Sequence, residues 1–234
     1  MYSENISAQI FIDNRKRFVA QMEKNSIAIF NSNDEIPSNG DALYPFKQNT
    51  DLYWLTGIKQ EDSMLILFPG NPDKKYREVL VLVRPNELKE KWDGKRHRAP
   101  EATALSGIET IVWLDTLDGL LQPMIHLADN IYLNTNEHLR ASTEVETRED
   151  RFIKKVKVDY PSHQVHKSAP IMHKIRSVKE DIELELMQRA CKITEAGVRR
   201  LLKFIKPGVW EYEIEAEWIH EFIRNRSKGF AYTP

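Results

Sequence analysis

Five short runs of aliphatic and β-branched residues set the strongest constraint on how this chain can fold: "IAIF" (27–30), "MLILF" (64–68), "EVLVLV" (78–83), "TIVWL" (110–114) and "IYLN" (131–134). Turns rich in Gly, Pro or Asn separate them, and none shows the strict apolar/polar alternation of a strand with one wet face. They read as strands buried on both faces. Ahead of them, "SAQIFIDNRKRFVAQMEK" (7–24) places Ile10, Phe11, Phe18, Val19 and Met22 one or two helical turns apart, which predicts an amphipathic helix. Further helical stretches at about 100–106, 116–128 and 142–155 fall among and after the later runs. Strands and helices in alternation predict an α/β fold, a mixed sheet covered by helices.

After "HKSAP" (166–170) the strand pattern stops, and nearly everything up to residue 226 reads as helix, so a domain boundary is expected there, with 1–168 and 169–234 as the two parts. Ser177 and Glu180 have the spacing of a capping box. The helix they open runs to about Ile205, with Ile182, Leu186, Ala190, Ile193, Val198, Leu201, Leu202 and Ile205 on its apolar stripe, and "KPG" (206–208) stops it. A second helix, about 209–225, sets Ile214, Trp218 and Phe222 at i, i+4 and i+8 against Glu211, Glu213, Glu215 and Glu217. Two amphipathic helices and a strand-like tail, "KGFAYTP" (228–234), cannot cover each other's apolar faces fully. A domain of this kind ordinarily runs to ~100 residues or more, so the expectation is a segment cut from a larger domain.

Charge and composition narrow the partners. With 34 basic and 35 acidic side chains the net charge is −1, which supplies no electrostatic excess for a phosphate backbone or an anionic membrane. Neither nucleic acid nor membrane is an expected partner. The longest apolar runs fall far short of the roughly 20 residues that span a bilayer, and "MYSENISAQ" lacks a basic-then-apolar signal pattern, so a cytoplasmic protein is expected. Cys191 is the single cysteine, cannot form an internal disulfide, and reads as a small core residue on a helix.

Self-contained catalytic motifs are absent: no GxGxxG after a strand, no GxxxxGK[ST], no HExxH and no GxSxG occurs. His163, His166 and His173 could bring imidazoles together if their segment were helical. Pro161 and Pro170 lie near its ends and no cysteine or carboxylate cluster is close, so they read as surface or linker histidines rather than metal ligands. The acidic row from Glu211 to Glu217 alternates along the sequence, spreads around its helix, and reads as a solvated face. One stretch stands apart: "WDGKR" (Trp92 to Arg96), followed by "HRAPE", in a turn after the helical "NELKEK". Trp92 beside Gly94 and a run of cations is either an aromatic recognition surface with donors for a carboxylate or carbonyl, or a tryptophan anchoring a loop onto its own domain.

The stretch "YPFKQNTDLYWLTGIKQEDSMLIL" (44–67) resembles the N-terminal domain of Xaa-Pro aminopeptidases (aminopeptidase P), with its string of aromatic, cation, Gln-Asn, Asp, aromatics and Thr-Gly. The resemblance continues in order through "VRPNELKEKWDGKR" (83–96), "APIMHKIRSVKEDIELELMQRA" (169–190) and "KPGVWEYEIEAEWIHEF" (206–222). It implies a creatinase/prolidase-type N-terminal α/β domain up to about residue 168, followed by the first helices of a pita-bread catalytic domain.

The family's reaction is hydrolysis of the bond between an N-terminal residue and a following proline, by a water bridging two divalent metal ions, usually Mn²⁺. Its ligands, two Asp, one His and two Glu, belong to strands beyond the matched segments. By resemblance, therefore, no catalytic or metal-ligating residue falls in this chain, which alone is expected to hydrolyse nothing. Tyr232, in "GFAYTP", corresponds to a tyrosine beside the metal site that is not itself a ligand. In tetrameric relatives the W-x-G-x-R loop approaches a neighbouring subunit's active site, which makes Trp92 a substrate contact supplied in trans. The implied partners are proline-containing peptides, further copies of the chain in a dimer or tetramer, and a C-terminal catalytic portion. Two alternatives share the architecture: a proline dipeptidase, which needs the free carboxylate of a dipeptide, and a non-catalytic assembly or binding module.

Overall fold

In the computed structural model, which describes residues 6–135, 137 and 144–232, the apolar runs become strands that lie side by side. In chain order the first elements are α1 (Ala8–Val19), β1 (Ser26–Asn31), α2 (Thr50–Thr56), β2 (Met64–Leu67), β3 (Glu78–Leu82), α3 (Glu87–Asp93) and α4 (Ala99–Ser106). There follow β4 (Thr110–Trp113), α5 (Leu117–Leu127), β5 (Asn130–Leu133), α6 (Arg148–Asp159), β6 (Gln164–Lys167) and α7 (Ala169–Ser177). The last two helices are α8 (Asp181–Phe204) and α9 (Glu211–Arg224). Among the described residues, 6–175 belong to one compact unit and 176–232 to a second.

In the first unit the sheet runs β4-β3-β2-β1-β5-β6. β2 pairs antiparallel with both β1 and β3, whereas β3/β4, β1/β5 and β5/β6 are parallel, so the sheet is mixed as expected. Strand alternation sends Ala28 and Phe30 to one face, where they meet Phe18, Leu52, Leu55 and Met172. Ile27 and Ile29 point to the other face, against Leu121, Met124, Ile125 and Val156. Helices cover both faces, which is why β1 and β2 are buried at every position.

Two strand expectations need correction. β4 is only half-buried, because it forms one edge of the sheet and has a neighbour on one side alone. β6 was not anticipated, since "QVHK" is polar; its backbone pairing with β5, in the register Val165 to Ile131, is what makes it a strand. That pairing also rules out a helix carrying His163 and His166.

The helices follow local signals. Ser7 caps α1 by accepting the Gln9 N–H at 3.2 Å. Asn49 caps α2, which the sequence reading did not include, by accepting the N–H groups of Asp51 and Leu52. Of the helix expected over 142–155, positions 142 and 143 lie outside the described residues, and α6 begins at Arg148 behind the cap Thr147.

In the second unit α8 and α9 pack at Gly197, where a side chain would lie 2.9 Å from both Trp218 and Phe222. Arg200 bonds Glu217 at 2.5 Å and Glu221 at 3.3 Å across the same pair. The helix start differs from the expected Ser177 box: Ser177 ends α7, and α8 opens one turn later, where Glu183 accepts the Glu180 N–H at 2.9 Å. Val198, Leu202 and Ile205 of the expected stripe are exposed. So is Cys191, which corrects its reading as a core residue; the 3.6-residue period puts it across α8 from Arg200, the side chain that bonds α9. No described helix is long and apolar enough to cross a membrane.

Candidate functional site: a clamped tryptophan

The stretch that the sequence singles out folds as a short helix with a loop returning over it. Asn86 caps α3 by accepting the N–H groups of Leu88 at 3.0 Å and Lys89 at 3.2 Å, and Glu87 and Glu90 place negative charge in its first turn. Gly94, at φ 90°, ends the helix in a conformation that favours glycine and lets the chain double back. Trp92 stands in the last turn of α3 rather than in the turn after it. It is 89% exposed, and Leu88, one helical turn earlier, is 72% exposed. The indole therefore does not anchor the loop in its own domain.

What orders the loop is charge. Glu90 receives Arg98 in a bidentate pair, Nη1 to Oε1 at 2.6 Å and Nη2 to Oε2 at 2.7 Å, and the Arg96 N–H at 2.8 Å. The Arg98 hydrogen bonds, with the Arg96 N–H second, hold the Glu90 carboxyl at a pKa of about 2. Arg96 reaches Glu61 at 2.6 Å, with both side chains largely covered at 14% and 18% exposure. The His97 N–H donates to Gln60 Oε1 at 2.9 Å, tying the loop to the segment between α2 and β2. Lys95 bonds Glu101 at 2.5 Å, and that carboxyl lies below its ordinary range chiefly for this reason. The cations expected to serve as donors for a ligand, Lys95, Arg96 and Arg98, are thus each paired within the domain. What the loop offers outward is the indole. Glu90, Glu61 and Gln60 escaped the sequence reading, because pairings across six or more residues leave no periodic signal.

The other candidates come apart. His163, in the turn before β6, bonds the Ile125 carbonyl oxygen at 3.0 Å. His166 stacks on Tyr132 with ring centroids 4.9 Å apart and bonds Asn130 Oδ1 at 3.0 Å. His173 belongs to α7. Among the described residues no three His, Cys, Asp or Glu side chains come together to hold a metal ion, so these residues do not fit a dinuclear centre. Tyr232 is 89% exposed. The acidic row of α9 is not wholly solvated, since Glu217 bonds Arg200 and Glu213 accepts the Trp210 N–H at 2.8 Å.

Comparison with known proteins gives this arrangement a context. The family model described as aminopeptidase P, N-terminal domain, matches residues 11–132, and that of metallopeptidase family M24, whose chemistry implies divalent metal ions, matches residues 185–234. The Xaa-Pro aminopeptidase of Escherichia coli is 26% identical over 230 residues, which are 97% of this chain and 52% of that protein. The intermediate cleaving peptidase 55 of Schizosaccharomyces pombe is 25% identical over 98% of this chain and 47% of its own length. The structure of Pseudomonas aeruginosa aminopeptidase PepP superposes with a TM-score of 0.81 at 25% identity, covering 97% of this chain and 51% of that one. The chain thus spans about half the length of the relatives it matches. Because one domain model accounts for just over half of the chain, from Phe11 in α1 to Tyr132 in β5, the protein belongs to the aminopeptidase P family.

Proposed function

We propose that this chain is the positioning portion of a metallo-aminopeptidase that removes the N-terminal residue from peptides with proline in second place. The observation that carries the reading is the order of the two matches, an aminopeptidase P N-terminal domain over 11–132 and then the metallopeptidase family over 185–234. Residues 1–168 form the non-catalytic domain in this reading, and 169–234 open the catalytic one. The described residues hold no ligand set, so the two divalent ions, with Mn²⁺ the proposed identity, are assigned to the half of the relatives' length that this chain does not cover. When bound, such ions lower the pKa of a water and polarise the scissile carbonyl.

Within this chain, Trp92 contacts substrate at the site of a neighbouring copy in a dimer or tetramer, for which its exposure suits it. Tyr232 stands beside the metal site without ligating. The test is release of the N-terminal residue from an Xaa-Pro-Yaa tripeptide by the product of the complete reading frame, loaded with Mn²⁺. Residues 1–234 alone are expected to release nothing, and turnover by them would refute the assignment. Cleavage of an Xaa-Pro dipeptide but not the tripeptide makes the protein a dipeptidase instead. Cleavage of neither leaves a non-catalytic module of the same fold.

A further inference from the structure

We infer that Glu90 and Arg98 are positioning residues that hold Trp92 in a fixed presentation, so that the indole meets its target as a preorganised contact. The inference rests on the substrate role proposed above for Trp92.

The physical problem is how α3 stays formed at all. It is seven residues long and contributes no buried side chain, and a helix of that length has little stability of its own. Asn86 satisfies donors at its first turn. A second tie arrives through the Glu90 carboxylate, two residues before Trp92, which accepts three donors from the returning segment 96–98. That segment is fastened to the body of the domain by the Arg96 to Glu61 ion pair and the His97 N–H to Gln60 bond. A continuous path therefore runs from residues 60 and 61, through 96–98, to Glu90 and on to the last turn of α3. Planar, two-point Arg–carboxylate contact fixes direction as well as distance, which a Lys at position 98 could not do. An exposed side chain on an ordered turn loses less conformational freedom on binding than one on a loose loop.

Two measurements test this. In the 234-residue chain, Glu90→Gln and Arg98→Lys are each expected to speed amide hydrogen exchange over residues 88–98 by about tenfold, with the amides of β1, β2 and β3 unchanged. Unchanged exchange over 88–98 overturns the inference, and slow core amides certify that the variants fold. In the complete protein, kcat/KM on an Xaa-Pro-Yaa tripeptide is compared for wild type, Glu90→Gln, Trp92→Ala and the double variant. Glu90→Gln is expected to cost on the order of tenfold when Trp92 is present and less than about twofold when it is Ala. An equal loss in both backgrounds shows that Glu90 does not act through Trp92 and overturns the inference. If Trp92→Ala leaves turnover unchanged, the substrate role of Trp92 falls, and the exchange measurement alone decides whether the clamp holds the loop.

Discussion

Arg15 and Glu78 join α1 to the start of β3, Nε to Oε2 at 2.9 Å, with the arginine side chain wholly buried and the glutamate 36% exposed. The same guanidinium donates through Nη1 to the carbonyls of Leu55 and Ser106, each at 2.9 Å, in the last turns of α2 and α4. One cation thus serves a strand and the negative ends of two helices. Arg15→Met leaves those acceptors without their donor and is expected to destabilise the first unit by about 3–5 kcal/mol. Glu78→Gln keeps an acceptor for Nε but leaves a wholly buried guanidinium without its counter-charge, so a loss of similar size is expected. Urea unfolding followed by circular dichroism measures both, and a loss below about 1 kcal/mol for Glu78→Gln would contradict this account.

The same α1 packs against two helix ends that only glycine fits. Gly57 and Gly107 have φ of 72° and 71°, and an added Cβ would sit 2.5 Å from the Phe11 ring and 2.6 Å from Ile12. Gly57→Ala therefore combines left-handed strain of about 1–2 kcal/mol with overpacking of about 1–3 kcal/mol. Gly208, at φ 93° with nothing within 4 Å, bears the strain alone. The midpoint of thermal unfolding is expected to fall further for Gly57→Ala than for Gly208→Ala; the reverse order would show that contact with Phe11 is not what excludes a side chain.

Glu149 links α6 to the end of β1, accepting Asn31 Nδ2 at 3.1 Å and the Asn31 N–H at 3.4 Å through Oε2, while Oε1 is buried with no hydrogen-bond partner among the described residues. Burial, outweighing the Asn31 bonds, the Asn134 N–H and the charge of Arg148, pushes its pKa up to about 7 from an ordinary 4.5. Between those values the folded state keeps a proton that the unfolded chain releases. Stability from this group is therefore full below about pH 4.5, falls as pH rises towards 7, and is level above. At about 1.4 kcal/mol per pH unit the loss is about 2–4 kcal/mol. Glu149→Gln retains the acceptor and removes the titration, so it is expected to be more stable than wild type at pH 8 and nearly equal at pH 4. Parallel stability curves for the two proteins would rule this out.

Glu90 has the opposite sign. Its pKa of about 2, set first by Arg98, lies below the ordinary 4.5, so the contribution of the clamp is complete above about pH 4.5 and is lost as pH falls through about 2. Exchange protection over residues 88–98 is expected to persist unchanged from pH 7 to 5. Loss of protection within that range, with core amides still protected, would mean that something other than this pair orders the loop.

These contrasts show which parts of the molecule local sequence can announce. β1 to β5 were legible because each apolar run carries its own reason for burial. β6 was not, because Gln164–Lys167 is a strand only through the neighbour it pairs with. The site divides the same way. Trp92 stands out as a tryptophan among cations, but those cations pair with Glu61, Glu90 and Glu101 of their own domain, and these pairings are set by the return of the chain rather than by spacing. The general preference of tryptophan for the interior also pointed the wrong way here, since α3 has no core beneath it.

In the second unit the informative position is Gly197, inside α8 and buried against α9. In an exposed helix interior, Gly→Ala stabilises by about 1 kcal/mol, because alanine loses less backbone freedom on folding. Here the new methyl would approach Phe222 Cε2 and Trp218 Cζ3 at 2.9 Å each, and the two rings themselves lie against each other at a 39° tilt with centroids 4.7 Å apart. Phe222 is also 4.7 Å from Phe230, so neither ring can withdraw without disturbing the next. The helices must then separate by a few tenths of an ångström, which also lengthens the bonds from Arg200 to Glu217 and Glu221. Gly197→Ala is expected to be neutral or destabilising by about 1–2 kcal/mol instead of stabilising, and Gly197→Val to cost more. Amide exchange over 211–224 reads the effect locally, with β1 and β2 as an internal reference. Slower exchange in Gly197→Ala than in wild type would show that helix propensity wins and that the close approach of α8 and α9 is not what requires glycine.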